Sequence, residues 1–129
     1  MSDKRSAVLA LGFRPFYLLA SGWAIFAIFE WLLELQGIGL RAFNFLPGMQ
    51  WHAHEMFYGF SWAILGGFLL TSTKNWVSIR GVHGWPLAAL AAAWVVERVA
   101  INMGADWPPV MAFVAHFGFL LAMIGFLLW

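Results

Sequence analysis

The stretch PVMAFVAHFGFLLAMIGFLLW, residues 109–129, decides the fold class, because His116 is its only ionisable side chain. A helix of about 20 apolar residues crosses ~30 Å of hydrocarbon at 1.5 Å per residue. Residues 16–35, 52–73 and 85–101 are similarly apolar, and Pro, Gly and Lys-Asn breaker residues separate them. Since lipid offers backbone groups no hydrogen-bond partners, each stretch is expected to be a helix. The sequence therefore predicts an all-α, polytopic membrane protein with a four-transmembrane-helix bundle in one domain, residues 1–129.

The composition excludes a soluble globular domain. Hydrophobic residues make up 63% of the chain and charged residues 10%, whereas soluble domains have about 45–50% apolar and about 25% charged residues. A formal net charge of +1 offers no basic surface for a nucleic acid. Cysteine does not occur in the sequence, which excludes disulfides and thiolate metal sites. The expected partner is therefore the lipid bilayer and not a nucleic acid.

Basic residues indicate the orientation of the spans. They concentrate on one side of the predicted membrane: Lys4, Arg5, Arg14, Lys74 and Arg80. The loops on the other side contain Arg41 and Asp106. By the positive-inside rule, the N-terminus is expected to be cytoplasmic.

Tryptophans mark the predicted span ends. Those near an end fit an interfacial aromatic belt: Trp31, Trp51, Trp76, Trp85, Trp107 and Trp129. Trp23, Trp62 and Trp94 fall in mid-span and are expected to be packing residues.

Ionisable residues inside the spans gather toward the outer half of the predicted membrane: Glu30, Glu34, His52, His54, Glu55, Glu97, Arg98 and His116. Such side chains are costly in lipid and usually face the bundle interior or a hydrated cavity. The sequence therefore predicts a polar site in this half.

The cluster His52-Ala53-His54-Glu55 is the densest part of that site. On a regular helix, His52 and Glu55 share a face and His54 points about 160° away. Both histidines therefore cannot bind one metal, unless His52 precedes the helix. Imidazole suits haem iron and copper, and Glu55 would orient a ligating ring through its second nitrogen. The alternative is that the two histidines only cap and hydrate a helix end.

His116 lies about 10 Å along its span, beyond the interface, and is either a metal ligand or a hydrogen-bonded packing residue. Glu30 and Glu97 are expected at a similar depth, and His54 is expected to be shallower. A haem between two histidines, His54 and His116, would therefore require helices offset in depth.

Arg98 is the cation of the predicted site. Because it adjoins Glu97, their side chains diverge by about 100°, and the two are not expected to pair simply with each other. Arg98 is expected to pair with Glu30 or Glu55 of another helix or with a cofactor propionate. The alternative is that it extends to the membrane interface.

Several sequence segments together resemble the NnrS family of bacterial inner-membrane proteins: GFRPFYL (12–18), WHAHEMFYGF (51–60), GFLLT (67–71) with NW (75–76), and GWPL (84–87). The resemblance implies haem and copper binding, with a role in nitric-oxide tolerance. It assigns metal binding to His52 and His54, and less directly to His116. Glu55, Glu30, Glu97 and Arg98 would then adjust the charge around the metal. Arg14 is a motif residue without a stated role.

The resemblance also concerns partners. Family members look like proteins of about twelve spans, so the chain resembles their N-terminal third. The expected partners are the remaining helices of a longer protein or a second copy of the chain. Whether the protein is an enzyme stays open.

Two other classes of function fit the sequence. In a transport or proton-relay subunit, a hydrated path without metal would be lined by Glu30, Glu97, Arg98 and His116. In a structural subunit, a partner's helices would neutralise the same charges.

Overall fold

The computed structural model describes residues 7–39, 46–103 and 108–128, with only the backbone of Met103. Its four long helices are α1 (Phe13–Leu35), α2 (Gly48–Trp76), α3 (Gly84–Met103) and α4 (Pro109–Leu128). Each is long and apolar enough to cross a membrane, and the described residues contain no strand. The predicted all-α membrane fold is confirmed.

Two helices begin three or four residues earlier than the predicted spans. Helix α1 begins at Phe13, so Pro15 lies in its first turn, where a missing N–H breaks no helical hydrogen bond. Helix α2 begins at Gly48, directly after Pro47. The cluster His52-Ala53-His54-Glu55 therefore lies inside the helix and not in the loop before it.

The helices run alternately up and down. The start of α1 contacts the end of α2, where the Phe13 amide donates to Thr71 Oγ1 at 3.1 Å. The late part of α3 contacts the early parts of α2 and α4, since Arg98 bonds to Glu55 and His116 contacts Glu97. We call the end with the C-termini of α1 and α3 the histidine end, and the opposite end the basic end.

Glycines bring α2 close to its neighbours. A Cβ on Gly66 would lie 2.5 Å from Met123 Cε of α4, and one on Gly67 would lie 2.8 Å from Phe16 Cβ of α1. Such small residues let transmembrane helices approach closely. The core that results joins all four helices: Phe16, Ala20, Ala63, Leu70, Leu87, Leu90, Trp94, Phe119 and Met123.

Large apolar side chains cover the outside of the bundle, as lipid contact requires. Helix α4 is the most apolar span and also the least buried. At the basic end Trp76 and Trp85 are 72% and 81% exposed, which fits the predicted aromatic belt. Trp51 does not fit it, because its side chain is fully buried. The predicted orientation and the rest of the belt depend partly on residues outside the described part of the chain: Lys4, Arg5, Arg41, Asp106, Trp107 and Trp129.

Helix α2 changes its winding in the middle. A π-helical segment, Glu55–Ser61, separates the α-helical parts Gly48–His54 and Trp62–Trp76. Such segments change the register of a helix and are frequent at functional sites. The regular spacing of 100° per residue therefore ends at His54, directly before Glu55.

Candidate functional site

Arg98 joins two buried carboxylates near the histidine end. Its Nη1 donates to Glu55 Oε2 of α2 at 2.7 Å, and its Nη2 lies 2.5 Å from Glu97 Oε1. Both carboxylates are fully buried, and Arg98 is 2% exposed. A buried ion pair stabilises a fold only when further hydrogen bonds compensate the lost hydration. Trp23 Nε1 of α1 supplies one, donating to Glu55 Oε2 at 2.7 Å.

The expectation that Glu97 and Arg98 would not pair with each other was therefore only partly correct. Glu55 is one of the three partners that the sequence predicted for Arg98, but Arg98 also contacts its own neighbour. The long side chain of an arginine can fold back toward an adjacent residue. Its planar guanidinium then presents two terminal nitrogens to two different carboxylates.

Each of these carboxylates also contacts a histidine. His54 Nδ1 lies 3.1 Å from Glu55 Oε1, and His116 Nδ1 lies 2.5 Å from Glu97 Oε1. An imidazole that donates through Nδ1 keeps the lone pair of Nε2 for a metal ion, and carboxylates commonly fix metal-binding histidines in this way. Arg98 thus lies at the centre of a network that orients two histidines from different helices.

The two histidines lie side by side. The ring centroids of His54 and His116 are 5.3 Å apart, and Tyr58 packs against both, at 5.0 and 4.8 Å. One potential ligand atom from each of His54, Glu97 and His116 falls within 4.8 Å of the others. This group combines side chains of α2, α3 and α4.

The expectation that His54 would be shallower than His116 was wrong. It assumed a span beginning at His52, whereas α2 begins at Gly48. His54 lies six residues after Gly48 and His116 seven after Pro109, which corresponds to about 9 and about 10 Å along the helix axes. The two rings therefore reach the same depth.

His52 lies apart from this pair. Its ring stacks on Trp31 of α1 at a centroid distance of 4.8 Å and an angle of 17°. Its Nδ1 is buried and has no hydrogen-bond partner among the described residues. The structure thus places His54, and not His52, beside His116.

Glu30 and Glu34 lie in the last two turns of α1. Glu30 is 1% exposed, and a Cβ on Gly39 would lie 3.3 Å from its Oε1. The carboxylate of Glu34 lies against Gly48, in the first turn of α2. A negative charge at a helix N-terminus is favourable, so Glu34 suits this position for a structural reason.

Arg14 lies at the other end of α1 from this site. Its Nη1 donates to the carbonyl of Ala7 at 2.6 Å and so holds the segment that precedes α1. The neighbouring Gly12 lies so close to α2 that a Cβ there would be 2.7 Å from Leu70 Cβ. The structure thus gives the segment GFRPFYL a role in packing α1 on α2.

Tryptophans support the network, which the sequence analysis did not predict. Trp94 Nε1 donates to the carbonyl of Gly59 in the π-helical segment at 3.1 Å. Trp51 Nε1 donates to Asn102 Oδ1, and Asn102 Nδ2 donates to the carbonyl of Arg98, both at 2.7 Å. The position of Trp94 in mid-span was the signal in the sequence. Lipid offers an indole N–H no acceptor there, so the acceptor must lie inside the protein.

Gly59 is a further residue that the sequence analysis did not assign to the site. A Cβ at this position would lie 2.6 Å from Arg98 Nη1, 2.7 Å from Trp23 Nε1 and 2.9 Å from Glu55 Oε2. Only glycine lets these three groups meet against α2.

A mostly apolar cavity of about 390 Å³ lies beside the histidine pair. Its lining includes Leu46, His54, Ile101, Pro109, Phe113, His116 and Phe117. Ligand pockets in proteins commonly have volumes of about 300–1,000 Å³. The two imidazoles are the polar groups of this lining, so a molecule that enters the cavity meets them.

The residues present fit a metal ion. Two neighbouring imidazoles are donors that copper, zinc and iron accept. In each imidazole Nδ1 lies on a carboxylate oxygen, which leaves Nε2 as the donor for the metal.

Comparison with known proteins identifies the family. The family model described as "NnrS protein" matches residues 7–129. No curated protein and no solved structure matches the chain significantly. The matched region includes the histidine pair, its two carboxylates and Arg98, and the chain therefore belongs to the NnrS family.

Proposed function

We propose that this chain is a metal-binding membrane protein of the NnrS type, in which His54 and His116 bind the metal. The observation that carries the proposal is that each of the two neighbouring imidazoles has its Nδ1 on a buried carboxylate. Such a carboxylate fixes the tautomer and orientation of a ligating ring. A histidine that only packs between helices needs no such arrangement.

The spacing of the two rings favours one ion held by both. Metal–nitrogen bonds of about 2 Å put the centroids of two imidazoles about 5 Å apart at a tetrahedral angle, and about 6 Å apart on opposite sides of an ion. The observed distance is 5.3 Å. We therefore propose copper at His54 and His116, with Glu97 orienting His116, and we disfavour a haem held between the two histidines.

Haem binding, which the family resemblance implies, needs only one of these histidines as an axial ligand. The apolar cavity of about 390 Å³ beside the pair offers a contact surface for part of a macrocycle. When bound, either metal would supply a centre for a small ligand such as nitric oxide, consistent with a role in nitric-oxide tolerance. We place the protein in the bacterial inner membrane with its N-terminus in the cytoplasm. Its proposed partners are a second copy or the further helices of a longer protein.

The protein's own residues prepare the site in three ways. Arg98 offsets the negative charge of Glu55 and Glu97, which would otherwise repel each other in a medium of low dielectric. The two carboxylates orient the imidazoles. The surrounding helices limit access of water, which strengthens each of these electrostatic interactions.

Metal analysis of the purified protein, with an optical spectrum, tests the proposal. We expect bound copper or iron in the wild type and its loss in His54→Ala and in His116→Ala. The matched control is His83→Ala, because His83 is a half-buried histidine at the basic end. His52→Ala should also keep the metal, since His52 stacks on Trp31. Equal metal content in all four variants would disprove the proposed ligands.

A second measurement separates orientation from ligation. Glu55 contacts His54 but is not one of the two proposed ligands. Loss of such an orienting carboxylate typically lowers metal affinity by about 10–100-fold. We therefore expect Glu55→Gln to weaken copper binding by that factor in a competition titration, with His54→Ala weakening it further.

The metal-free alternative predicts a different result. A proton-relay subunit would contain no metal as wild type, and Glu97→Gln would stop proton flux in liposomes. Metal in the wild type that is lost in His116→Ala excludes that alternative as a complete description.

A further inference from the structure

The basic end of the bundle has a charge opposite to that of the histidine end. Its described cations are Arg14, Lys74 and Arg80, in α1, at the end of α2 and in the α2–α3 loop. The described acidic residues all lie toward the histidine end: Glu30, Glu34, Glu55 and Glu97. Among the described residues, neither Lys74 nor Arg80 has an ion-pair partner.

Two adjoining cavities share Arg80. The smaller is a cleft of about 220 Å³ with both polar and apolar lining, called the polar cleft here for its polar side chains Thr71, Asn75 and Arg80. The larger is an apolar groove of about 500 Å³ beside the C-terminal half of α4. Its lining includes Arg80, Val82, His83, Pro86, Ala122, Gly125 and Phe126. A cation thus lies where a polar cleft adjoins an apolar groove.

The depth of these cavities matches a lipid headgroup. Trp76 and Trp85, which flank the α2–α3 loop, are highly exposed at the same end. Tryptophans of this kind lie at the level of the headgroups. Arg80 is therefore at headgroup depth, and the groove beside α4 extends from there toward the hydrocarbon.

We propose that this end binds an anionic phospholipid, with the phosphate in the polar cleft at Arg80 and an acyl chain in the groove beside Gly125. Charge complementarity selects the headgroup, because no described acidic residue competes for Arg80. Basic pockets between transmembrane helices are known to bind anionic headgroups. A helix from another protein would cover the groove but would leave the polar cleft unfilled.

Two glycines of α4 provide a matched test of the groove. A Cβ on either Gly125 or Gly118 would meet nothing within 4 Å. Of these two glycines, Gly125 lines the groove and Gly118 does not. Gly125→Leu would therefore fill the groove, whereas Gly118→Leu adds the same side chain elsewhere on the same helix.

The experiment uses the full chain in vesicles of equimolar phosphatidylglycerol and phosphatidylcholine. After mild detergent extraction, native mass spectrometry counts the lipids retained. We expect phosphatidylglycerol to be retained in preference to phosphatidylcholine, and Arg80→Gln to lower that preference about fivefold, which corresponds to the loss of one cation near a charged headgroup. Arg80→Lys should keep the preference. Gly125→Leu should lower the total lipid retained, and Gly118→Leu should not.

Three results would overturn the proposal. They are equal retention of both lipids by the wild type, an unchanged preference in Arg80→Gln, and equal lipid loss in the two glycine variants. A dimer that disappears in Gly125→Leu without a change in retained lipid would assign the groove to a second copy instead. Unchanged thermal unfolding of Arg80→Gln in detergent would show that any loss of lipid is not a loss of fold.

Discussion

The two ends of this bundle use polar residues differently. At the histidine end, charged side chains of α2 and α3 bond to one another, and Arg98 links Glu55 with Glu97. At the basic end, the polar contacts instead involve the backbone: Arg14 bonds to the carbonyl of Ala7, and Thr71 accepts the amide of Phe13. Side-chain networks in lipid are costly to build, so the comparison supports the proposed metal site at the first end, whereas these contacts at the second end pack helices.

The largest expected effect follows from removing the centre of the network. Arg98→Met leaves two carboxylates buried without their cation, and breaking a buried ion pair costs about 3–5 kcal/mol. We expect a loss of this size in the free energy of unfolding in detergent. Arg80→Met is the control, because Arg80 is an exposed arginine at the basic end.

A compensated variant sharpens this prediction. If uncompensated charge causes the loss, replacing Glu55 and Glu97 with glutamine in the Arg98→Met background should restore much of the stability. Stability that stays low in the triple variant would indicate that packing of the guanidinium, and not its charge, matters most.

A smaller effect is expected from crowding the same network. Gly59→Ala places a Cβ 2.6 Å from Arg98 Nη1, and overpacking of a buried site costs about 1–3 kcal/mol. Gly118→Ala is the matched control, since its Cβ meets nothing within 4 Å. Equal thermal unfolding curves for the two variants would contradict the close approach of α1 and α3 at Gly59.

The smallest effect belongs to the basic end. Thr71→Val removes the acceptor of the Phe13 amide, and a typical hydrogen bond contributes about 1 kcal/mol. We expect a decrease of that size in stability and no change in metal content. A loss of metal in this variant would mean that the two ends are coupled.

Sequence alone predicted the helices better than the site. The apolar stretches required four spans. Because ionisable side chains are costly in lipid, the sequence correctly predicted that the bundle would bury or half-bury Glu55, Glu97, Arg98 and His116. The side-by-side placement of His54 and His116 was not expected without an offset of the helices, because the earlier start of α2 changes the depth of His54. That earlier start has no clear signature in one sequence.

The support around the site was harder still to predict. Trp23 and Trp94 were interpreted as packing residues, although each indole N–H donates to a group inside the bundle. Gly59 carries no signal of its own, because the need for glycine arises from α1 and α3, which lie far away in sequence. Such residues become visible only when the helices are packed together.

The central claim is that His54 of α2 and His116 of α4 bind one metal ion. X-ray absorption spectroscopy of the copper-loaded protein tests it directly by counting imidazole ligands. We predict two imidazoles at about 2 Å from the metal in the wild type. His116→Ala, loaded at a copper concentration high enough to offset its weaker binding, should show one. A single imidazole in the wild type, or a spectrum that His116→Ala leaves unchanged, would contradict the claim.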